Sequence, residues 1–530
     1  MTLRRIALLH APVMPLWVRP RSVVYLALAL MVALATSCGS MQDPMPGAGA
    51  EIGELVEAPT EAEADDGRPH DDASPPADAD NDDASGDEAD ETPLPPEGTR
   101  LAFASMTGDA AFTVEWLSVE ERRWYDRTWR AIEAASDELL TDIERDNSYA
   151  YGRTVFQHHH ALLLALRATG DLRFLDAVDV TAQGVRKQLR DSWCGGVESS
   201  IFVNEEYGTV RERDDLLKFR FRRGGGIHYC RDTSDLHEAL AHGHLALLMY
   251  AYHVNRDNPS PSGIDYGERA DFWLDYLRNH FEPKWRERSG VAWPDMDFIG
   301  LKFCHTYTVF NLYYYFIGKR LESDADPDAA AYLRHADVMT DAMFDQPYLP
   351  GVNPGGFVEV AGPSGDAVIY SFGAPRRGSP NPNSTHLEAC PTTYARYAVS
   401  AMLTLHLEGH ARWNEAIMTK LANGVTSFVL DRPTIEERDD TVAAGVSGSA
   451  PVAGMPPTTY RSRLGVNHYS HTSFPVLSIW DASGRIERLS LEVYAVREQD
   501  AEAPQFAHIP ASMLFVETAK RHRVGLTMLR

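Results

Sequence analysis

Histidine and tyrosine gather at five places in this chain: His158-His159-His160, His242-Gly243-His244, His305-Thr306-Tyr307, Thr393-Tyr394-Ala395-Arg396 and Asn467-His468-Tyr469-Ser470-His471. These residue types handle protons. Imidazole titrates near neutral pH, and a phenol flanked by cations is a base that returns its proton as an acid. A histidine on an apolar helix is more often a hydrogen-bonded core residue, so no single cluster is informative. Recurrence at five matched positions points instead to a shared role. Tyr307 and His242 open consecutive apolar segments and make the leading pair, with His305 beside the phenol. His305 and Tyr307 do not share a helix face, so only one of them is expected to point inward.

The elements that must position these residues follow one pattern. After each cluster comes a helix-length apolar run, then a short break, then a more polar helix. The breaks fall at Ala168-Thr169-Gly170-Asp171, Asn255-Arg256-Asp257-Asn258, Gly318-Lys319, Glu408-Gly409-His410 and Asp481-Ala482-Ser483-Gly484. A helix-turn-helix unit repeated at fixed polarity stacks on its neighbours. If the stack closes into a ring, the same end of every apolar helix meets one cavity. Helical spacing of apolar residues is clear in Trp129–Leu140, Leu236–Tyr252, Tyr394–Leu407 and Ala416–Val429. Strand signal is thin: Gly356–Val360, Ala367–Ser371 and Leu489–Tyr494 alternate weakly, as short hairpins would. Long Gly- and Pro-rich stretches at 195–232, 346–390 and 431–466 read as lids or binding walls. The fold expected is all-α: an (α/α) toroid of helical hairpins, with elaborated loops on one rim and a few short β-hairpins. It forms a single domain over residues 101–530.

This arrangement resembles the (α/α) toroid polysaccharide lyases of the alginate and glucuronan lyase type. The resemblance covers most of residues 120–490 at the level of helix order. It implies a His on one inner helix and a Tyr on the next, facing a uronate with help from Asn, Arg or further His; His242 and Tyr307 fit that layout. The implied reaction is β-elimination. A cationic or hydrogen-bonding group neutralises the C5 carboxylate, a base takes the C5 proton, and an acid protonates the leaving oxygen. Tyr307, His242 and His305 would be catalytic. His159, His244, Arg220, Arg222, Arg223, Asn383, His386, Arg396 and His468 would hold the polymer. The chain departs from the family in two ways: no Asn-His pair precedes the Tyr helix, and little sequence follows residue 490 for an appended β-sandwich.

Two loops suit an anionic polymer. Lys218-Phe219-Arg220-Phe221-Arg222-Arg223 runs into three glycines, and Arg376-Arg377 precedes Asn381, Asn383 and His386. Guanidinium groups clamp carboxylates, and aromatic faces stack on sugar rings. Three alternatives stay open. A glycoside hydrolase on the same toroid needs two carboxylates across the scissile bond. Its candidates are Asp235, Glu238, Asp295, Asp297 and Glu388, with Asp295-Met296-Asp297 the pair most like a functional one. A zinc toroid is suggested by Trp193-Cys194-Gly195, Ala241-His242-Gly243 and Cys304-His305, which loosely resemble lanthionine cyclase motifs. The order of those motifs differs from that family, and thiolate ligands suit an oxidising compartment poorly. A non-catalytic glycan-binding lipoprotein would use the same Arg and aromatic loops. No cofactor or metal is expected, and the protein is expected to be a monomer.

The first 100 residues speak to location. Arg4, Arg5, Arg19 and Arg21 precede the apolar run Val23–Leu34, which ends in Ala35-Thr36-Ser37-Cys38. A basic start, a short apolar stretch and small residues before a cysteine describe an export signal with a lipid-modified Cys38. Residues 1–38 are therefore expected to be a lipoprotein signal peptide that tethers the protein to a bacterial membrane, the outer one by expectation, in the periplasm or at the cell surface. Residues 39–100 form an acidic linker, with runs such as Asp80-Asn81-Asp82-Asp83 and almost no core-forming residues. That linker carries the larger part of the formal charge of −26, so net charge says little about the substrate. An exported, mildly acidic domain excludes nucleic acid as a partner. Cys194, Cys230, Cys304 and Cys390 remain, an even number for an oxidising compartment. Sequence proximity pairs Cys194 with Cys230, leaving Cys304 with Cys390.

Overall fold

The computed structural model describes residues 112–144, 155–189, 201–204, 208–211, 216–217, 235–289, 304–345, 357–370, 392–430, 442–443, 461–462, 474–497 and 508–521. All of them belong to the compact unit Asp87–Arg530. The helices are α1 Val119–Glu144, α2 Phe156–Thr169, α3 Arg173–Lys187, α4 Asp235–Val254, α5 Tyr266–Tyr276, α6 Glu282–Ser289, α7 Cys304–Ser323, α8 Ala329–Asp345, α9 Thr392–Leu407, α10 Glu415–Gly424, α11 Arg485–Arg497 and α12 His508–Arg521. A 3-10 segment, Phe474–Trp480, holds the place of one inner helix. Shorter segments are a 3-10 turn at Val114–Trp116 and π turns at Leu277–Phe281 and Val425–Val429. There are three two-stranded antiparallel pairings among the described residues: β1 Ile201–Asn204 with β2 Gly208–Arg211, β3 Phe357–Gly362 with β4 Gly365–Tyr370, and β5 Val442–Ala443 with β6 Arg461–Ser462.

Packing closes the inner elements into a ring. α2 packs on α4, α4 on α7, and α7 on α9. The ring of His406 on α9 lies 5.5 Å from that of Trp480 in the 3-10 segment, which in turn packs on α12, and α12 returns to α2. Outside them, α3 backs α2, α5 backs α4, α8 backs α7, α11 backs the 3-10 segment and α1 backs α12. α10, the polar mate of α9, contacts the 3-10 segment and carries the β3–β4 hairpin. The fold is an (α/α) toroid, as the sequence pattern implies.

The sixth unit escapes a sequence reading because its two helices come from opposite ends of the domain. α12 supplies the inner member and α1 the outer one. They are fastened by Arg521, whose guanidinium donates to the Trp116 carbonyl and the Glu121 carboxylate, each at 2.7 Å. Glu121 also closes a capping box with Ser118 at the start of α1.

Inner helices are apolar on every face because they are covered on every face. Residues 161–166 of α2, 239–241 of α4 and 312–314 of α7 are all buried. Apart from α12, the inner elements are joined to their outer partners by turns of eleven residues or fewer. Gly170, at φ 75°, takes the left-handed conformation that caps α2 and donates its N–H to the Leu166 carbonyl. Two sequence expectations need correction. Leu489–Tyr494 is helical, within α11: Ile486, Leu489, Ser490 and Tyr494 are buried at helical spacing, which outweighs the weak alternation. Gly318 is no break but lies inside α7, where a Cβ would meet Leu333 Cγ of α8 at 2.7 Å. The chain turns later, at residues 324–328. Among the described residues no helix is long and apolar enough to cross a membrane.

Candidate functional site at the rim where the inner helices begin

The two rims of the ring differ in how the chain crosses them. At the ends of the inner helices the crossings are tight: 170–172, 255–265, 324–328, 408–414 and 481–484. The connections that lead into inner helices include the long ones, 188–234, 346–391 and 431–473. The topology therefore gathers the extended connections at the rim where α2, α4, α7, α9, the 3-10 segment and α12 begin. Arg220, Arg222, Arg223, Asp295, Asp297, Asn383, His386, Glu388 and His468 all fall in segments leading to that rim and lie outside the described residues. So do Cys38, Cys194, Cys230 and Cys390. Asp235, Cys304, His305 and Arg396 stand in the first turns of α4, α7 and α9, with their side chains outside the description.

The described part of the rim is rich in histidine. In the first turn of α2, His158, His159 and His160 are buried, and His244 of α4 meets His160 edge to face at 5.5 Å between ring centroids. His159 Nε2 shares a hydrogen bond with Thr181 Oγ1 of α3 at 2.6 Å, so it faces the outer layer. One residue either way turns the helix by about 100°. His160 accordingly lies on the α4 side, and His158 toward the opposite neighbour, α12. Both ring nitrogens of His158 and Nδ1 of His160 have no hydrogen-bond partner among the described residues. Burial holds all four histidines in the neutral form: His158 is lowered to about 4, His159 to about 3 and His160 to about 4. His244 lies well below its usual value, through burial first and its histidine neighbours second. No group of His, Cys, Asp or Glu among the described residues has the geometry to hold a metal ion.

His242 and Tyr307 occupy different ground. His242 is fully buried against the outer layer. Its ring stacks on Phe281 at 3.6 Å, Nε2 pairs with the Tyr276 hydroxyl at 2.9 Å, and Nδ1 with the Glu238 carbonyl at 2.7 Å. Both nitrogens are thus engaged away from the bore. The adjacent Gly243 is where α4 and α7 touch: a Cβ there would meet the Val309 carbonyl oxygen at 2.2 Å. Tyr307 is buried in α7 and falls on the stripe of Asn311, Tyr314 and Gly318. That stripe packs on α8 through Thr340, His335 and Leu333. Of the two residues that the sequence pattern favours, His242 therefore sits on the wall's outer face, and Tyr307 is buried on the stripe of α7 whose other members pack on α8. Glu238, one of the carboxylates considered for hydrolysis, is likewise committed: it is fully buried and paired with Lys284 and the Trp285 indole N–H of α6.

The far end of the bore holds a feature that the motif search missed. Arg167, buried in the last turn of α2, forms an ion pair with the part-buried Glu408, at the end of α9. α2 and α9 are separated by α4 and α7 along one side of the ring, so this pair spans the bore. The Tyr315 hydroxyl donates to the Glu408 carbonyl at 3.1 Å. Burial and the Glu408 charge push Tyr315 up, and burial pushes Tyr250 up to about 12. His410 sits beside Asp337 at 3.3 Å, yet burial lowers it. The sequence signal was available: Arg167 is the one charged residue in the run 161–168.

No protein-family model matches the chain, and no curated protein matches it in sequence. Among solved structures it is similar to the GH76A alpha-1,6-mannanase from Salegentibacter sp. HEL1_6, with 12% identity over 74% of this chain and 99% of that one, at a TM-score of 0.30. It is similar too to an inactive double aspartate-to-alanine variant of that enzyme in complex with alpha-1,6-mannotetrose, with 11% identity over 73% of this chain and 98% of that one, again at 0.30. Likeness at that level transfers neither family, site nor substrate to this chain.

Proposed function

We propose that this protein is a glycoside hydrolase that cleaves a polysaccharide at the rim where the inner helices begin, with Asp295 and Asp297 as its carboxylate pair. The observation that carries the choice of hydrolysis over elimination is the placement of His242 and Tyr307. Elimination needs a cation or donor on the uronate carboxylate and a phenol on the C5 proton. His242 has both nitrogens engaged in the outer layer, and Tyr307 lies on the stripe packed against α8. Hydrolysis asks for two carboxylates flanking the glycosidic bond, one to protonate the leaving oxygen and one to activate water or form a glycosyl intermediate. Asp295-Met296-Asp297 stands in sequence between α6 and α7, outside the described residues.

The same reading takes the Arg220, Arg222 and Arg223 loop as a polymer-binding wall, and Cys38 as a lipid-modified anchor after the export signal. The test is a polymer panel containing neutral glycans, alpha-1,6-mannan among them, and polyuronates. Reducing ends released without a new ultraviolet-absorbing double bond support hydrolysis. Absorbance rising with the reducing ends means elimination, and binding without cleavage means a glycan-binding protein.

A further inference from the structure

His160 of α2 meets His244 of α4 edge to face, with His158 and His159 beside it in sequence, and the hydrolase reading gives none of them a chemical step. We infer that His158 and His160, with His244 beside them, form the hydrogen-bonding wall of an inner subsite that receives an uncharged sugar ring. This inference rests on the hydrolase reading and adds the class of substrate to it.

Three observations carry it. The first is place: His158 and His160 lie near the start of the inner helix α2, and His244 lies against His160 from midway along the inner helix α4. The second is partnership. His158 is 1% exposed and neither of its ring nitrogens has a hydrogen-bond partner among the described residues; the same holds for Nδ1 of His160, which is 7% exposed. Buried polar atoms are nearly always partnered, so an imidazole with both nitrogens unpartnered calls for a partner from outside the fold, a water or a ligand. His159, one residue away, shows the contrast, since its Nε2 is bonded to Thr181 of the outer layer. The third is chemistry. A neutral imidazole offers one donor and one acceptor, which is what a sugar hydroxyl offers in return. The ring faces of His160 and His244 meet at 73°, so the two imidazoles present their edges in different directions.

A carboxylate would be received poorly here. The histidines are held neutral by burial, and Arg167, the cation whose charge acts on His160 among the described residues, is already committed to Glu408. Placing a uronate against this wall would require protonating a buried imidazole, which desolvation opposes. A ring carrying only hydroxyls needs no such change.

The experiment uses the full chain with histidine labelled by nitrogen-15. Neutral tetrasaccharides of gluco-, manno- and xylo-configuration, and a tetrauronate, are added in turn while the imidazole resonances are followed. At least one neutral probe is expected to shift the His158 or His160 signals, and the tetrauronate to shift them less. Phe at 158 or 160 should raise the Kd for that probe by roughly fivefold, the effect of losing one neutral hydrogen bond, whereas His160→Gln should recover part of it. Imidazole signals unmoved by every neutral probe, or moved more by the tetrauronate, overturn the inference even if the variants do not fold. The two readings fail separately. A polymer hydrolysed with unchanged KM by His158→Phe and His160→Phe overturns the histidine wall alone. A neutral probe that moves the histidines while no polymer gains reducing ends overturns the hydrolase reading alone.

Discussion

The two ends of the ring are built to opposite rules. Where the inner helices end, the chain turns within a few residues, glycines cap the helices, and the Arg167–Glu408 pair ties α2 to α9 across the bore. Where they begin, the connections lengthen, the buried groups are neutral histidines, and ring nitrogens are left without partners among the described residues. The first end is tied across the bore by its ion pair, although Nδ1 of His253 and of His410 has no hydrogen-bond partner there among the described residues. The second holds polar groups ready for something brought to it. A buried ion pair contributes little net stability when intact, yet removing one partner is costly. The closed end therefore fixes geometry more than it adds stability, and that fixed geometry keeps the open rim in register.

The comparison is open to attack at several points. The largest effect should come from the open rim, where Asp295→Asn or Asp297→Asn is expected to reduce turnover by about 10³-fold, within the range for loss of a general acid or base. Circular dichroism and KM should stay close to those of the parent. Activity surviving both changes would remove the carboxylate pair from the account. At the closed end, Arg167→Met should destabilise the fold by about 1–3 kcal/mol in urea unfolding, because the part-buried Glu408 loses the partner of its charge. The double variant with Glu408→Gln should regain part of that loss. If the single change costs nothing, the pair does not lock the ring.

Gly243→Ala tests the seam between α4 and α7. Its Cβ would meet the Val309 carbonyl at 2.2 Å, so the helices must part, at about 1–3 kcal/mol, read as a lower thermal midpoint. A smaller, graded effect is expected with pH. His158, His159 and His160 have folded-state values of about 4, 3 and 4, below the ordinary histidine value of 6.5, so the unfolded chain binds more protons between those limits. The stability they contribute is present above about 6.5 and is lost as pH falls toward 4. Urea midpoints measured across that window should drop on the acid side, and less so in His158→Phe. A flat profile would mean that these histidines are solvated. The smallest expected effect is that of Tyr307→Phe on turnover, less than about threefold, since a residue packed on α8 bears on the rim only through the wall.

The difference between the ends also explains what the sequence could disclose. Five inner segments were legible because each opens on a His or Tyr cluster and closes on a break that must turn the chain. The sixth was not, because α12 and α1 lie at opposite ends of the domain and form no repeat in sequence order. The direction of His242 and Tyr307 was hidden for a different reason. An amphipathic helix declares its buried face, but α4 and α7 are buried all round, so their sequences carry no phase that separates bore from outer layer. Only contacts such as Phe281 on His242 resolve it. Arg167 was legible in principle as a lone charge in an apolar run. Its partner was not, since Glu408 lies 241 residues away.

Mass balance tests the central claim most directly. One purified polymer of known composition is cut by the full chain, and the fragment masses are summed. Hydrolysis adds one water for every bond broken, so the account expects the fragments to exceed the substrate by that water, with both new ends saturated. Elimination adds none and leaves one fragment unsaturated at C4–C5. Fragments that sum to the substrate alone would contradict the hydrolytic reading and return Tyr307 and His242 to the chemistry.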